Sequence, residues 1–198
     1  MLVTYFLFPF IFFSEELLVY SYFEINYQFK CVTNMKFRKG YLQGMTCTHR
    51  NKYSGLLKLC HGIDPYEIEK NCTSSSVEHM PKMCLADVAF YLVNRTGYFS
   101  MRDMVAYQSS ETYKHIADGL LDEIFYFPVG VDKVICIAEI LHPTAIDLPP
   151  FCAWVLVSKP ALALTSWCTC GHNEVCCHIA ALLFGIEYDC TLNFDRTN

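Results

Sequence analysis

Four residues close to the carboxyl end of the chain have the types and spacing of metal ligands. Cys168 and Cys170 form a Cys-x-Cys pair, and Cys176 and His178 form a Cys-x-His pair after a spacer of five residues. Three thiols and an imidazole suit a tetrahedral Zn²⁺ ion and fill all four of its positions. A catalytic zinc keeps one position open for water, so this set predicts one closed, structural zinc ion.

The two pairs need different backbone conformations to face one ion. In an extended segment, residues two apart point the same way, so Cys168 and Cys170 are predicted at the end of a strand. Side chains two apart diverge on a helix, so Cys176 and His178 are predicted on the turn that leads into a helix. The free N–H groups and positive dipole end of a helix start also favour thiolate over thiol. The pattern therefore predicts a strand-strand-helix unit with zinc at its junction.

Other interpretations of the same residues stay open. Cys177 and His172 are rival ligands, and Cys176 is preferred over Cys177 because neighbouring side chains such as Cys177 and His178 seldom converge on one ion. The thiols could also be buried without any ligand. A secreted chain could instead carry a disulfide here, either Cys168–Cys176 or Cys170–Cys177.

The segment from Cys168 to Phe184 resembles the SWIM-type zinc finger, whose motif is Cys-x-Cys, a variable spacer and Cys-x-His. The resemblance to one animal subgroup of that family extends upstream through Val134–His142, Leu148–Pro150 and Trp154–Val157, and spans Met83 to Tyr188. In that subgroup the finger usually precedes a YqaJ-type viral-recombinase exonuclease domain. The resemblance implies one structural zinc ion, held by the four residues above, and a DNA or protein partner.

The apolar pattern predicts an α+β fold in which an N-terminal helical region precedes a small antiparallel sheet and the zinc-bound strand-strand-helix finger. One helix is predicted from Pro81 to Gly97 and another from Ser109 to about Ile124. The division of the chain is then an N-terminal region of uncertain structure, a helical support region, a SWIM-type zinc finger unit and a tail, over residues 1–79, 80–128, 129–190 and 191–198.

The second half of the pattern is strand-like and ends in one helix. Residues 133–141, 151–157 and 161–170 are apolar runs bounded by turn residues, which predicts three strands joined by short connections. A helix is predicted from about Cys176 to Tyr188, and the polar residues after Asp189 are predicted to be frayed. Its sheet-facing side chains are predicted to be Ile179, Leu182, Leu183 and Ile186.

Composition limits the classes of partner. Hydrophobic residues make up 53% of the chain and charged residues 18%, which excludes a disordered chain. With a net charge of −5, any contact with nucleic acid has to be local. Residues 30–63 carry seven basic residues and no acidic one. A solvated loop region is the preferred interpretation of this segment, and a phosphate-contacting patch is the alternative.

The twelve cysteines bear on location. Those outside the finger are scattered singly, which is typical of reduced thiols and predicts an intracellular protein, with the nucleus as one possible site. Thirteen uncharged residues at the start are fewer than the roughly 20 that cross a bilayer, so membrane association is not expected. A cysteine-rich secreted or membrane-associated protein remains an alternative.

The chain is not expected to be an enzyme. No cluster of carboxylates follows the finger before Asn198, and the chain has neither a phosphate loop nor a nucleophile elbow. No small-molecule substrate is therefore predicted. The alternative function is a truncated, non-catalytic front half of a YqaJ-type exonuclease, which would target or grip the substrate.

Overall fold

The structure is a computed structural model that describes residues 36–75, 77–96, 99–105, 115–142, 147–172 and 176–197. It confirms the α+β class, because helices are combined with a 4-stranded antiparallel sheet in the order β1-β2-β3-β4. The strands are β1 Phe125–Val129, β2 Lys133–Ile140, β3 Phe151–Ser158 and β4 Leu162–Cys168.

Helices precede the first strand and follow the last strand in the sequence. They are α1 Cys47–Leu57, α2 Leu85–Ala89 with a following π-helical turn Phe90–Arg95, α3 Met101–Val105 and α4 Cys177–Thr197. Short 3₁₀ turns occur at Tyr41–Gly44, Pro65–Glu67, Lys70–Cys72 and Val77–His79. Within the part of the chain that the structure describes, no helix combines the length and the apolar character needed to cross a membrane.

One face of the sheet is covered by α4 and α2. Alternate residues of the strands point to this face, among them Val134, Cys136 and Val155, all of which are buried. The residues predicted to turn α4 toward the sheet, Ile179, Leu182, Leu183 and Ile186, lie in the same core. That part of the prediction is confirmed.

The opposite face is covered by residues 36–68. Trp154 and Trp167 project into this second core and meet Tyr53, whose ring centroid lies 6.1 Å from that of Trp154 and 5.1 Å from that of Trp167. Tyr66 stacks on Tyr53 at 5.9 Å and donates a hydrogen bond of 3.0 Å to the Cys152 carbonyl oxygen. Because both faces are covered, β2 and β3 are buried almost throughout, which explains their continuous apolar runs.

The structure corrects two predictions that concern the elements before the sheet. The helix predicted to reach Ile124 is helical only at residues 115–117 of its described part, and the chain then turns at Gly119, where φ is +66°. Its apolar residues continue into β1, a strand that the sequence did not indicate. The helix predicted from Pro81 begins at Leu85 and changes to a π-helical turn at Phe90.

Two further corrections concern regions that were expected to be irregular. The basic segment, residues 30–63, is predicted to be a solvated loop region. In the structure it contains the 11-residue helix α1. Helix α4 continues to Thr197, past its predicted end at Tyr188, so the residues after Asp189 are helical. The strand predicted over residues 161–170 is β4, and it ends at Cys168. The predictions for residues 1–29 lie outside the described residues, and the segment boundaries at 80, 129 and 191 stay predictions.

Candidate metal centre

The structure brings together the four residues that the sequence singled out. One ligand atom from each of Cys168, Cys170, Cys176 and His178 lies within 4.8 Å of the others. Zinc bonds of about 2.3 Å to sulfur and about 2.0 Å to nitrogen place the ligand atoms of a tetrahedral ion about 3.4–3.8 Å apart. The ligand atoms would need to move closer by about 1.0–1.4 Å at most to reach the spacing of a zinc site.

The first ligand pair is fixed by the end of the sheet. Cys168 is the last residue of β4 and lies opposite Ala153 in β3. Beyond it, the Thr169 backbone N–H donates to the Cys152 carbonyl oxygen at 3.1 Å, and the Cys152 N–H donates to Thr169 Oγ1 at 2.9 Å. The ladder thus continues one residue past the strand, so the backbone between Cys168 and Cys170 is held against β3.

The second ligand pair is fixed by the start of α4. Cys176 directly precedes the helix and its carbonyl oxygen accepts a 3.1 Å hydrogen bond from the Ala180 N–H, while His178 is the second helical residue. This is the predicted turn leading into a helix. The connection from the first pair begins with a turn at Gly171, where φ is +88°, a conformation that favours glycine. Asn173 lies outside the described residues.

The cluster is largely closed to solvent. Cys168 is 0% exposed, Cys176 5% and His178 8%, while Cys170 is half-buried. The His178 ring packs on Phe151 with the ring centroids 4.3 Å apart, and its Nδ1 atom is buried without a hydrogen-bond partner. A buried nitrogen of this kind costs free energy unless a ligand or ion satisfies it, so the donor set fits a metal ion.

The electrostatics of the cluster favour negative charge on sulfur beside a positive ring. Hydrogen bonding among the sulfurs, first between Cys168 and Cys170, raises the pKa of Cys168 and lowers the pKa of Cys170. Burial opposes the charged form of His178, but interaction with the sulfurs of Cys170, Cys176 and Cys177 outweighs it and raises the pKa to about 11. The arrangement therefore stabilises a thiolate, which is the form of cysteine that binds metal.

The two rival ligands occupy different positions. His172 Nδ1 lies 3.7 Å from Cys170 Sγ, but His172 belongs to neither potential metal-binding group among the described residues. Cys177 falls in a second group with His115 and His178, whose ligand atoms also lie within 4.8 Å of one another. Sequence reasoning missed His115, because a single histidine far from the motif carries no spacing signal.

Disulfides do not form at the cluster. All eleven described cysteines are free thiols, so neither Cys168–Cys176 nor Cys170–Cys177 is linked. The cluster is thus available to a metal ion as four separate ligands.

Comparison with known proteins gives no match. No protein-family model, no curated protein and no solved structure is matched by this chain. The structure shows a Cys3His cluster that could hold a metal ion, and zinc fits this set of ligands. The resemblance to the SWIM finger stays a prediction that depends on the ligand motif.

Proposed function

We propose that this chain is a zinc-binding module of the SWIM type, in which one structural Zn²⁺ is held by Cys168, Cys170, Cys176 and His178. The observation that carries the proposal is the approach of these four ligand atoms to within 4.8 Å at a buried junction of β4 and α4. Four protein ligands leave no position for water or substrate, so the ion has a structural role and the module no catalytic one.

The ion would link two elements directly, because its ligands come from the end of β4 and from the first turn of α4. Helix α4 carries much of one core. Structural zinc contributes about 10–16 kcal/mol of apparent free energy in small finger peptides, which is comparable to the roughly 5–15 kcal/mol net stability of a domain. The junction of β4 and α4 should therefore depend on metal for its order, while β2 and β3 keep the side-chain packing that covers both of their faces.

Metal analysis of purified protein tests the site. We expect one zinc per chain in the wild type and none in Cys168→Ser or His178→Ala, because each removes a ligand at the centre of the cluster. Cys190→Ser is the matched control, since Cys190 lies on the same helix but outside both metal-binding groups and donates to the Pro81 carbonyl oxygen at 3.0 Å. Undiminished zinc in the two ligand variants would refute the assignment.

For the partner, the surface of α1 favours nucleic acid over protein. Tyr53 is the only buried residue of α1, whereas Arg50, Lys52 and the C-cap residue Lys58 are exposed. Arg50 donates to the carbonyl oxygens of Gln43 and Met45, which are neutral and leave its charge in place. A cationic helix exposed on most of its surface is suited to contact a phosphate backbone.

Acidic residues close to α1 in the sequence do not cancel this charge. None occurs from Lys36 to Ile63, and the first ones that follow have partners of their own. Glu67 pairs with Lys36 at 2.7 Å, and Asp64 is half-buried and accepts a 2.7 Å hydrogen bond from the hydroxyl of Tyr53, the buried residue of α1. The positive patch is therefore local, in a chain whose overall charge is −5.

A salt series on single- and double-stranded DNA tests the partner. The slope of log affinity against log salt is about −0.9 per neutralised phosphate on duplex and about −0.7 on single strands. We expect Arg50→Gln combined with Lys58→Gln to flatten the slope by about 1–2 units, and Lys159→Gln, an exposed lysine on the β3–β4 turn, to leave it unchanged. Binding of neither form of DNA would favour a protein partner instead.

The free thiols also support an intracellular location, in the cytoplasm or nucleus, within this proposal. A Cys3His site works only with reduced sulfurs, and reducing compartments keep them so. Mass measured before and after reduction of protein from its native source checks this, because each disulfide lowers the mass by two hydrogen atoms.

A further inference from the structure

His178 belongs to two sets of potential ligands at once. It is the imidazole of the Cys3His cluster, and it also lies within 4.8 Å of His115 and Cys177 in a second set that the proposed site does not use. The rings of His115 and His178 meet edge to face, with centroids 5.4 Å apart and planes at 89°. The two sets together place five other potential metal ligands close to His178.

The two sets are alike in burial. Each has one half-buried cysteine, Cys170 in the Cys3His cluster and Cys177 in the second set, and Cys177 is the first residue of α4. His115 comes from a separate segment before β1 and is 6% exposed. A closed tetrahedral site gives up or takes in its ion most easily when another ligand replaces one that leaves, and Cys177 is a sulfur in position to do so.

We propose that Cys177 and His115 form an acceptor set through which zinc enters and leaves the closed site, with His178 as the residue common to both sets. This rests on the structural zinc proposed above. The pair supplies one thiolate and one imidazole, both of which are zinc ligands. Because both sets use His178, one ion could occupy only one of them at a time, and the Cys3His cluster offers two more sulfurs than the second set.

The exchange is a ligand substitution without a change of oxidation state. Cys177 Sγ would replace one of the three cluster sulfurs as a ligand of Zn²⁺, and the charge of the ion would stay the same. The entering thiol would release its proton and the displaced thiolate would take one up, so protons and charge balance. Transfer in the reverse direction returns the ion to the closed site.

Transfer of zinc from the full-length protein to a chromophoric chelator tests the proposal. We expect Cys177→Ser and His115→Asn to keep one zinc per chain but to release it about tenfold more slowly, which corresponds to about 1.4 kcal/mol in the barrier. Cys190→Ser should release zinc at the wild-type rate. If His115→Asn does not fold, Cys177→Ser decides alone, because serine is close to isosteric at this half-buried position.

The possible results separate this inference from the proposed zinc site. Loss of zinc from Cys177→Ser would make Cys177 a ligand of the resting site and overturn the acceptor role. Unchanged release rates would overturn it as well, and so would a lower affinity of His115→Asn with faster release, which indicates that His115 only orients His178. A wild-type chain that holds no zinc would instead refute the proposed function itself.

Discussion

Thr169 and Cys152 form two hydrogen bonds with each other immediately beside the candidate metal centre. The Thr169 N–H donates to the Cys152 carbonyl oxygen, and the Cys152 N–H donates to Thr169 Oγ1. The hydroxyl of Thr169 thus takes the place of a backbone carbonyl at the point where the regular ladder ends. The geometry of the Cys-x-Cys pair therefore depends on the residue between its two sulfurs.

We expect Thr169→Val to destabilise the protein and to weaken zinc binding. Valine has nearly the same shape but no acceptor, so the Cys152 N–H is left without a partner at a cost of about 1–3 kcal/mol. Loss of an outer-shell contact typically lowers metal affinity by about 10–100-fold. Urea unfolding and competition with a zinc chelator measure the two effects.

Thr191→Val is the control for that experiment. Thr191 Oγ1 donates to Glu187 Oε1 at 3.2 Å on the exposed surface of α4. Its replacement should change the free energy of unfolding by no more than about 0.5 kcal/mol. Equal effects of the two valine substitutions would contradict the positioning role of Thr169.

When zinc is removed with a chelator, the first turn of α4 should lose its order while the sheet is still intact. The ion is expected to hold Cys176 and His178 against the end of β4, whereas β2 and β3 are covered on both faces by packed side chains. Hydrogen exchange measured by mass spectrometry should then show faster exchange at residues 176–181, with residues 133–140 and 151–158 still protected. Uniform acceleration across the sheet would contradict this order.

Substitution of Gly185 should disturb the contact between α4 and the segment before β1. A Cβ atom at this position would lie 2.5 Å from Leu121 Cδ2 and 3.1 Å from Ile124 Cδ1. We expect Gly185→Val to lower the free energy of unfolding by about 2–3 kcal/mol through overpacking. Gly185→Ala should be closer to neutral, because alanine regains about 1 kcal/mol of helix propensity.

Gly55 gives the matched comparison for Gly185. It also lies within a helix, but a Cβ atom there would meet nothing within 4 Å. Gly55→Ala should therefore raise the free energy of unfolding by about 0.5–1 kcal/mol. Thermal unfolding of the four proteins, with zinc present at equal excess, measures both effects, and destabilisation by Gly55→Ala would contradict the packing argument.

Ionisation of Asp64 should contribute to the pH dependence of the free energy of unfolding. Burial raises the pKa of the Asp64 carboxyl above its usual value, although hydrogen bonds from Tyr53 and Tyr66 lower it in part. The folded protein therefore binds this proton more readily than the unfolded chain does, so the contribution favours folding at low pH and is lost as the pH rises through the folded pKa.

Comparison with Asp64→Asn isolates that contribution. Loss of zinc at low pH affects the wild type and Asp64→Asn alike, so it cancels in the difference between their free energies of unfolding. Relative to the variant, the wild type should become more stable as the pH falls from 7 toward 4. Asp103 should show the opposite sign, since hydrogen bonds from Ser100 lower its pKa. A flat difference for Asp64→Asn would contradict the buried-carboxyl argument.

The Cys3His cluster could be predicted from sequence because its signals are local. The two ligand pairs are close together in the chain, and each sits where its own spacing requires it, at the end of β4 and at the start of α4. Strands β2 and β3 were predictable for a similar reason, since β-branched and apolar residues fill both of their faces. Neither inference required knowledge of distant contacts.

The elements that the sequence did not indicate depend on distant contacts. Strand β1 contains Pro128, which usually argues against a strand, but β1 is at the edge of the sheet and pairs with β2 alone among the named strands. Ser74 pairs with Tyr126 on its other side through hydrogen bonds of 3.0 and 2.8 Å. Helix α1 has no apolar stripe along its length, because Tyr53 is its one buried residue and the partly buried Leu56 and Leu57 pack on the same core at its end.

This limited contact has a consequence for how the protein can change. Only Tyr53 of α1 is buried, and its ring contacts Tyr66, Trp154 and Trp167. Substitutions at the exposed positions of α1 can therefore alter what this surface recognises while the sheet and its tryptophans keep their packing. Selection on binding and selection on folding would then act on separate sets of residues.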